Sequence, residues 1–252
     1  MDDYNFEDFT ETHYRDLLRL AKKKYSFIDY SRVESLEKDR FILWRHDVDF
    51  SVNRALALAK IEKKEGISAI YFLRLSSDFY NIFELRLKKK LETIFYLGHR
   101  FGLHFDVDSH SIHSETELIE YLSMEKKILE SLLNTEITVF SFHNPTPEIL
   151  TNDQFRYAGM INTYARYFRE DVGYCSDSNG YWRNRRLWDV LEKAKEDRLQ
   201  VLTHPVWWQE TVMSPKERVW RCIDGRAQRG KELYLERLER FGRKNIHRNK
   251  GN

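Results

Sequence analysis

The sequence predicts an α/β protein built on a mainly parallel sheet or barrel, and three observations lead there. Apolar runs of strand length recur along the chain, segments with helical spacing stand between them, and charged groups collect where the runs stop. The clearest run is Phe41-Ile42-Leu43-Trp44, which ends in Arg45, His46, Asp47 and Asp49. Strand side chains alternate between faces, so Asp47 and Asp49 point one way and His46 and Val48 the other. Two carboxylates side by side at a strand end repel each other unless a cation or a shared proton offsets the repulsion. A metal ion is the simplest answer.

Taken in order, residues 12–24 carry Tyr14, Leu17, Leu18 and Ala21 at helical spacing, with Thr12 as the expected N-cap. A short strand is expected over 25–30, a polar loop over 31–40 and a strand over 41–45. Ala55, Leu58, Ala59 and Ile61 predict an amphipathic helix over 51–64 that stops at Gly66. A strand over 69–73 precedes a helix over 82–97 ending at Gly98. The strand 101–105 ends in Asp106, and a helix over 115–133 opens with Ser114 and Glu117 in capping-box spacing. A strand over 138–142 ends at His143, a short strand covers 174–176, a helix 186–195, and a strand over 199–203 ends at His204. From Pro215 the chain predicts a helix, with Val219, Trp220, Ile223, Leu233, Leu235 and Leu238 as expected core contacts and a basic, solvated end.

The bulk properties narrow the function classes. The 252 residues suit one large domain, with 41% hydrophobic and 33% charged residues marking a globular chain. We expect a single domain over 1–252, its motif-bearing core at about 41–208 and its helical basic tail at about 215–252. A net charge of +2 gives no general reason to expect nucleic acid or membrane binding. No apolar run is long enough to span a bilayer and no signal peptide is visible, so a cytoplasmic location is expected. Cys175 and Cys222 are the only cysteines, which leaves no cysteine-based zinc site or disulfide framework.

The polar groups are not scattered. Asp47 and Asp49, His104 and Asp106, His143, and His204 each stand at the C-terminal end of a predicted strand. In barrels and open α/β sheets, loops converge on that edge and build sites there. Trp207 and Trp208 follow His204 directly, and Trp182 follows an Asp-Ser-Asn-Gly turn. Aromatic faces so placed are candidates for stacking on sugar rings, whereas Trp44, Trp188 and Trp220 are expected in the core.

Four segments carry a family resemblance: Arg45-His46-Asp47-Val48-Asp49, Gly98 to His104, Ser141-Phe142-His143-Asn144-Pro145 and Leu202-Thr203-His204-Pro205. In order and interval they resemble the polysaccharide deacetylase-like proteins, carbohydrate esterase family four or the NodB-homology superfamily. The resemblance implies a distorted, incomplete (β/α) barrel, here with helical N- and C-terminal additions. It also implies metal-dependent removal of an acyl group, usually acetyl, from a sugar. By position it makes Asp47 the general base, Asp49 and His104 metal ligands, and His204 the general acid. Zn is the usual ion for a mixed His and carboxylate set, and Mn, Co or Ni would also fit.

The chain departs from the family pattern in two places. The second metal histidine is replaced by Asp108, and Asp106, on the strand face of His104, is the expected third ligand; Asp108 and His143 are the alternatives. The arginine that orients the base is absent from its usual motif, where His143 stands, either to orient Asp47 and contact substrate or to bind metal. Asp177 is a candidate to orient His204, and Trp182, Trp207 and Trp208 are candidates to bind substrate. His46 and His99 are expected to be structural, and His110 and His113 to lie in a solvated loop. The expected activity is deacetylation of an acetamido sugar, the substrate being a carbohydrate or sugar nucleotide and, given the expected cytoplasmic location, a nucleotide- or lipid-linked precursor of a surface polysaccharide rather than finished polymer. The alternatives are hydrolysis of a non-sugar amide and a degenerate carbohydrate-binding protein.

Overall fold

A computed structural model describes residues 4–35, 40–182 and 184–247. Nine strands form one sheet: β1 (Ser26–Phe27), β2 (Phe41–Val48), β3 (Ile70–Leu73), β4 (Arg100–Asp106), β5 (Val139–His143), β6 (Arg156–Tyr157), β7 (Met160–Asn162), β8 (Gly173–Ser176) and β9 (Arg198–Thr203). Their order is β6-β7-β5-β4-β3-β2-β9-β8, with β1 pairing on β2. All of these pairings are parallel except the β6–β7 hairpin, and β6 and β8 are not paired to each other. The sheet is therefore an incomplete barrel. Helices α1 (Glu11–Lys22), α2 (Val52–Lys64), α3 (Leu85–Tyr96), α4 (Glu115–Leu133), α5 (Arg166–Glu170) and α6 (Leu187–Lys193) accompany the strands, and α7 (Pro215–Arg240) is the last helix of the described residues.

Every residue of β2 is buried, which is why its sequence reads as one apolar run rather than an alternating one. Phe41 and Leu43 pack on the inner face with Ile70, Phe72, Val139 and Ile161. Ile42 and Trp44 pack on the outer face against the helices, among them Leu58 and Ala59 of α2 and Leu91 of α3. Arg45 and Asp47 continue the inner column upward from Leu43. Gly102 makes room in that column: a Cβ there would stand 2.5 Å from the Phe72 ring. A side chain at this strand position would displace the ring that floors the site.

On the outer face, His46 meets a wholly buried polar cluster centred on Glu62 of α2. His46 Nε2 lies 2.6 Å from Glu62 Oε1, Tyr71 donates to Oε2 at 2.6 Å, and Tyr14 also donates to the carboxylate. Trp44 donates to the Tyr14 hydroxyl at 2.9 Å, and Thr203 Oγ1 meets His46 Nδ1 at 2.7 Å. The cluster ties α1 and α2 to three neighbouring strands. His46 and His99 are thus internal to the fold.

The element boundaries differ from expectation in instructive places. Helix α1 is capped by Thr10, whose hydroxyl accepts from the His13 amide, rather than by Thr12. The strand expected over 25–30 is only two residues long, and a 3-10 turn at Tyr30–Ser35 occupies part of the expected loop; residues 36–39 lie outside the described ones. Of α7, only Arg218 is buried, and Trp220, Ile223 and Leu235 are exposed instead of packing in the core. Helical periodicity places residues on a common face but does not say which face meets the protein. Here Arg218, Cys222 and Arg229 turn inward.

Candidate active site

Three strand ends meet at one point. Asp49 follows β2, His104 lies near the end of β4, and His143 ends β5. His104 Nε2 stands 3.2 Å from Asp49 Oδ1, and His143 Nδ1 stands 3.4 Å from the same oxygen. The two ring nitrogens are 3.2 Å apart, and all three ligand-capable atoms lie within 4.8 Å of one another. His104 Nδ1 is 3.3 Å from the Ser141 carbonyl, so a proton on Nδ1 leaves the Nε2 lone pair facing Asp49. Asp49 Oδ1 is buried with no hydrogen-bond partner. An orphaned carboxylate oxygen and two converging imidazole nitrogens are a donor set that fits a divalent cation.

Asp47, two residues before Asp49, lies 3.6 Å from His104 Nε2 through Oδ2. The same oxygen accepts from the Arg45 guanidinium at 2.9 Å. Arg45 is fully buried, donates to Ser141 Oγ and Thr163 Oγ1 at 2.6 Å each, and lies over the Phe72 and Tyr164 rings. Its rigid fork fixes the carboxylate in place, a task a flexible ammonium would do less well. The other Asp47 oxygen, Oδ1, is buried and unpartnered.

His204 closes the site from beyond β9. Its Nε2 lies 3.8 Å from Asp49 Oδ2, and its Nδ1 lies 2.6 Å from Asp177 Oδ1. Asp177 is fully buried and also accepts from the His204 amide at 3.0 Å and from Trp208 Nε1 at 2.9 Å. Burial alone would lower the His204 pKa, but Asp177, with Asp49 and Asp47 beyond it, raises it to about 9.

Several expected roles move once the side chains are placed. Asp106 does not turn to the cluster of Asp49 and His104; it is ion-paired with the buried Arg74 of the β3 edge. A carboxylate held by a buried guanidinium keeps that partner unless another cation replaces it. Asp108 is likewise outside the cluster, and its backbone amide donates to Asp106. His143 stands in the third position. Trp208 is fully buried beneath His204 and has no face for a substrate; its ring nitrogen is spent on Asp177. Trp182 stacks on Phe9 at 5.3 Å and borders a separate hollow with Tyr4 and Arg186. Trp207 alone of the three borders the site, in a cleft of about 560 Å³ that also holds Asp49, Phe50, Phe79, His143 and His204. His110, expected in a solvated loop, pairs with Glu125 at 2.7 Å and stacks on Tyr121.

Arg45 has a role at this site that the four motifs leave unassigned. The signal was available: alternation puts position 45 on the face of position 47, and a buried cation beside a buried carboxylate is a natural pair. Arg74, one residue beyond the apolar run of β3, carried the same kind of signal for Asp106.

No family model and no curated relative matches the chain. Among solved structures, it is similar to a CE4 family pseudoenzyme from Bacillus anthracis, at 15% identity and a TM-score of 0.45. That match covers 77% of this chain and 62% of the other, so the chain spans less than two thirds of that relative's length. It is also similar to the peptidoglycan deacetylase PdaC from Bacillus subtilis, at 14% identity and a TM-score of 0.43, covering 81% of this chain and 96% of that one. A third is a family 4 acetyl xylan esterase from Clostridium thermocellum with a cobalt ion, at 13% identity and 0.43, covering 73% and 84%. These likenesses are distant, and the site stands on its own geometry.

Proposed function

We propose that this protein is a metal-dependent hydrolase that removes an acyl group, in the first instance N-acetyl, from a sugar. The observation that carries the reading is the convergence of Asp49, His104 and His143 between two supported groups, Asp47 on Arg45 and His204 on Asp177. Asp49, His104 and His143 would hold the divalent ion, with Zn, Mn, Co and Ni all compatible with two imidazoles and one carboxylate. Such an ion, when bound, polarises an acyl carbonyl and lowers the pKa of water.

The chain's own residues account for the proton movements. Asp47 takes a proton from attacking water, since Arg45 holds its carboxylate in one orientation with Oδ1 free of protein partners. His204 gives a proton to the departing amine or alkoxide, and Asp177 keeps the ring oriented and charged at neutral pH. Phe50, Phe79 and Trp207 give the cleft an apolar wall suited to a sugar face. Arg45 beside Asp47 and His143 beside Asp49 and His104 offer from other positions the cation and the second imidazole that the family pattern lacks here, which supports turnover over a degenerate binder.

The test is acetate release from a panel of acetamido sugars, free, nucleotide-linked and lipid-linked, with metal-loaded protein. The expected result is turnover that disappears in Asp47→Asn while bound metal is retained. Release of no acetate from any member, by protein holding stoichiometric metal, refutes the reading.

A further inference from the structure

The apolar residues of α7 face away from the protein. Trp220, Ile223, Ala227, Gly230 and Tyr234 recur at intervals of three and four, so they share one face, and all five are exposed. Trp220 is 57% and Tyr234 58% exposed. The inward face carries the buried Arg218, with Cys222, Arg229 and Leu233 half-buried. A helix of 26 residues with a single buried side chain is weakly supported by the rest of the fold.

A second element continues this surface. Phe83 and Leu85, at the start of α3, are 61% and 68% exposed. They flank Glu84, which is ion-paired with Arg226 of α7, so they lie alongside that helix. Arg86, Lys88, Lys89 and Lys90 follow directly.

Charge identifies the occupant. From Pro215 onward, twelve Lys and Arg stand against five Asp and Glu, whereas the preceding chain has thirty against thirty-five. The near-neutral total thus conceals an acidic body joined to a basic C-terminal segment, of which α7 itself carries eight cations against five acids. Two such helices repel each other, which disfavours a second copy as the partner. Nucleic acid would use the charge but leave the tryptophan, isoleucine and tyrosine stripe in water. An anionic bilayer satisfies both, taking the apolar side chains at its interface and the cations at its headgroups.

We propose that α7, together with the start of α3, docks this protein peripherally on anionic lipid membranes. The hollow between α2, α3 and α7 contains Arg86, Arg221, Arg226 and Arg229 and shares Phe50 and Phe79 with the candidate active site. Docking would therefore set the cleft next to the lipid surface. The surface and the metal site have no residue in common, so the two readings stand or fall separately.

The experiment is sedimentation of the full chain with vesicles of phosphatidylcholine alone or with about one-third phosphatidylglycerol. Binding is expected to be roughly tenfold stronger with phosphatidylglycerol and to weaken as salt shortens the electrostatic range. Trp220→Ser/Ile223→Ser/Tyr234→Ser and, separately, Lys231→Glu/Arg237→Glu should each reduce it by a similar factor. All these positions are exposed, so circular dichroism should be unchanged. Equal binding to both vesicle types, no binding to either, or full binding by the triple variant overturns the proposal. So does a Trp220-dependent dimer in light scattering, or tighter retention on duplex DNA than on vesicles.

Discussion

Arg45 reaches Asp47 along a single strand, two residues apart, with its guanidinium 2.9 Å from the carboxylate and both groups buried. The arginine that the family pattern carries on another strand has its counterpart here on the strand of Asp47, the proposed base. Burial opposes the charge on Arg45, but Asp47 raises its pKa above the ordinary arginine value, so the pair stays ionised. Arg45→Met leaves a buried carboxylate without its cation and should cost about 3–5 kcal/mol of stability. Arg45→Lys should cost less while still impairing turnover, because it keeps the charge and loses the fork to Ser141 and Thr163. Urea denaturation of the two variants, set beside their kcat, checks the ordering.

His143 and Asp106 part company over metal. His143→Ala should lower metal affinity by roughly a hundredfold or more, whereas Asp106→Asn should retain the ion, since Asp106 is committed to Arg74. Metal content after dialysis, followed by titration with Zn or Co, decides between them. Retention in His143→Ala with loss in Asp106→Asn would reverse the assignment.

With His204 as the proposed acid, Asp177 should govern the basic side of the pH profile. An acid with a pKa of about 9 remains protonated through neutrality and is lost as pH rises past that value. Asp177→Asn removes the largest raising influence and frees burial to act, so the basic limb should move down toward about 6.5. A fall in kcat of roughly 10²–10⁴ should accompany the shift. A purely structural role for Asp177 would reduce active protein without moving the limb.

Glu62 makes stability depend on acid. Burial would raise its pKa, but His46 foremost among its partners lowers it from 4.5 to about 2. A depressed folded-state value contributes stability in full above the unfolded value and loses it as pH falls from 4.5 toward 2. Glu62→Gln should be less stable at neutral pH by about 3–5 kcal/mol and should show a flatter decline across that window. Thermal melts at several pH values measure both.

The barrel was legible because its strands are buried on both faces and end in charge, as Phe41 through Asp49 do. The helix over Glu115–Leu133 was legible to the residue because Ser114 caps it by a local hydrogen bond to Glu117. Short-range chemistry of this kind needs no partner from elsewhere in the chain. The two-residue strand Ser26–Phe27 and the outward apolar face of α7 were not legible, since both depend on which distant surface lies opposite.

The same division runs through the stretch from Arg45 to Asp49. Sequence by itself determined that two carboxylates share a strand face, that His46 lies behind them, and that His104 and His204 stand at neighbouring strand ends. Alternation and strand length are properties of the local backbone and survive without knowledge of the fold. Only the tertiary structure decided that Arg74 claims Asp106, that Trp208 serves Asp177, and that His143 comes third beside Asp49 and His104. Those choices are competitions between charges brought together from separate strands, and the nearest buried partner wins each one because a buried charge left alone costs so much.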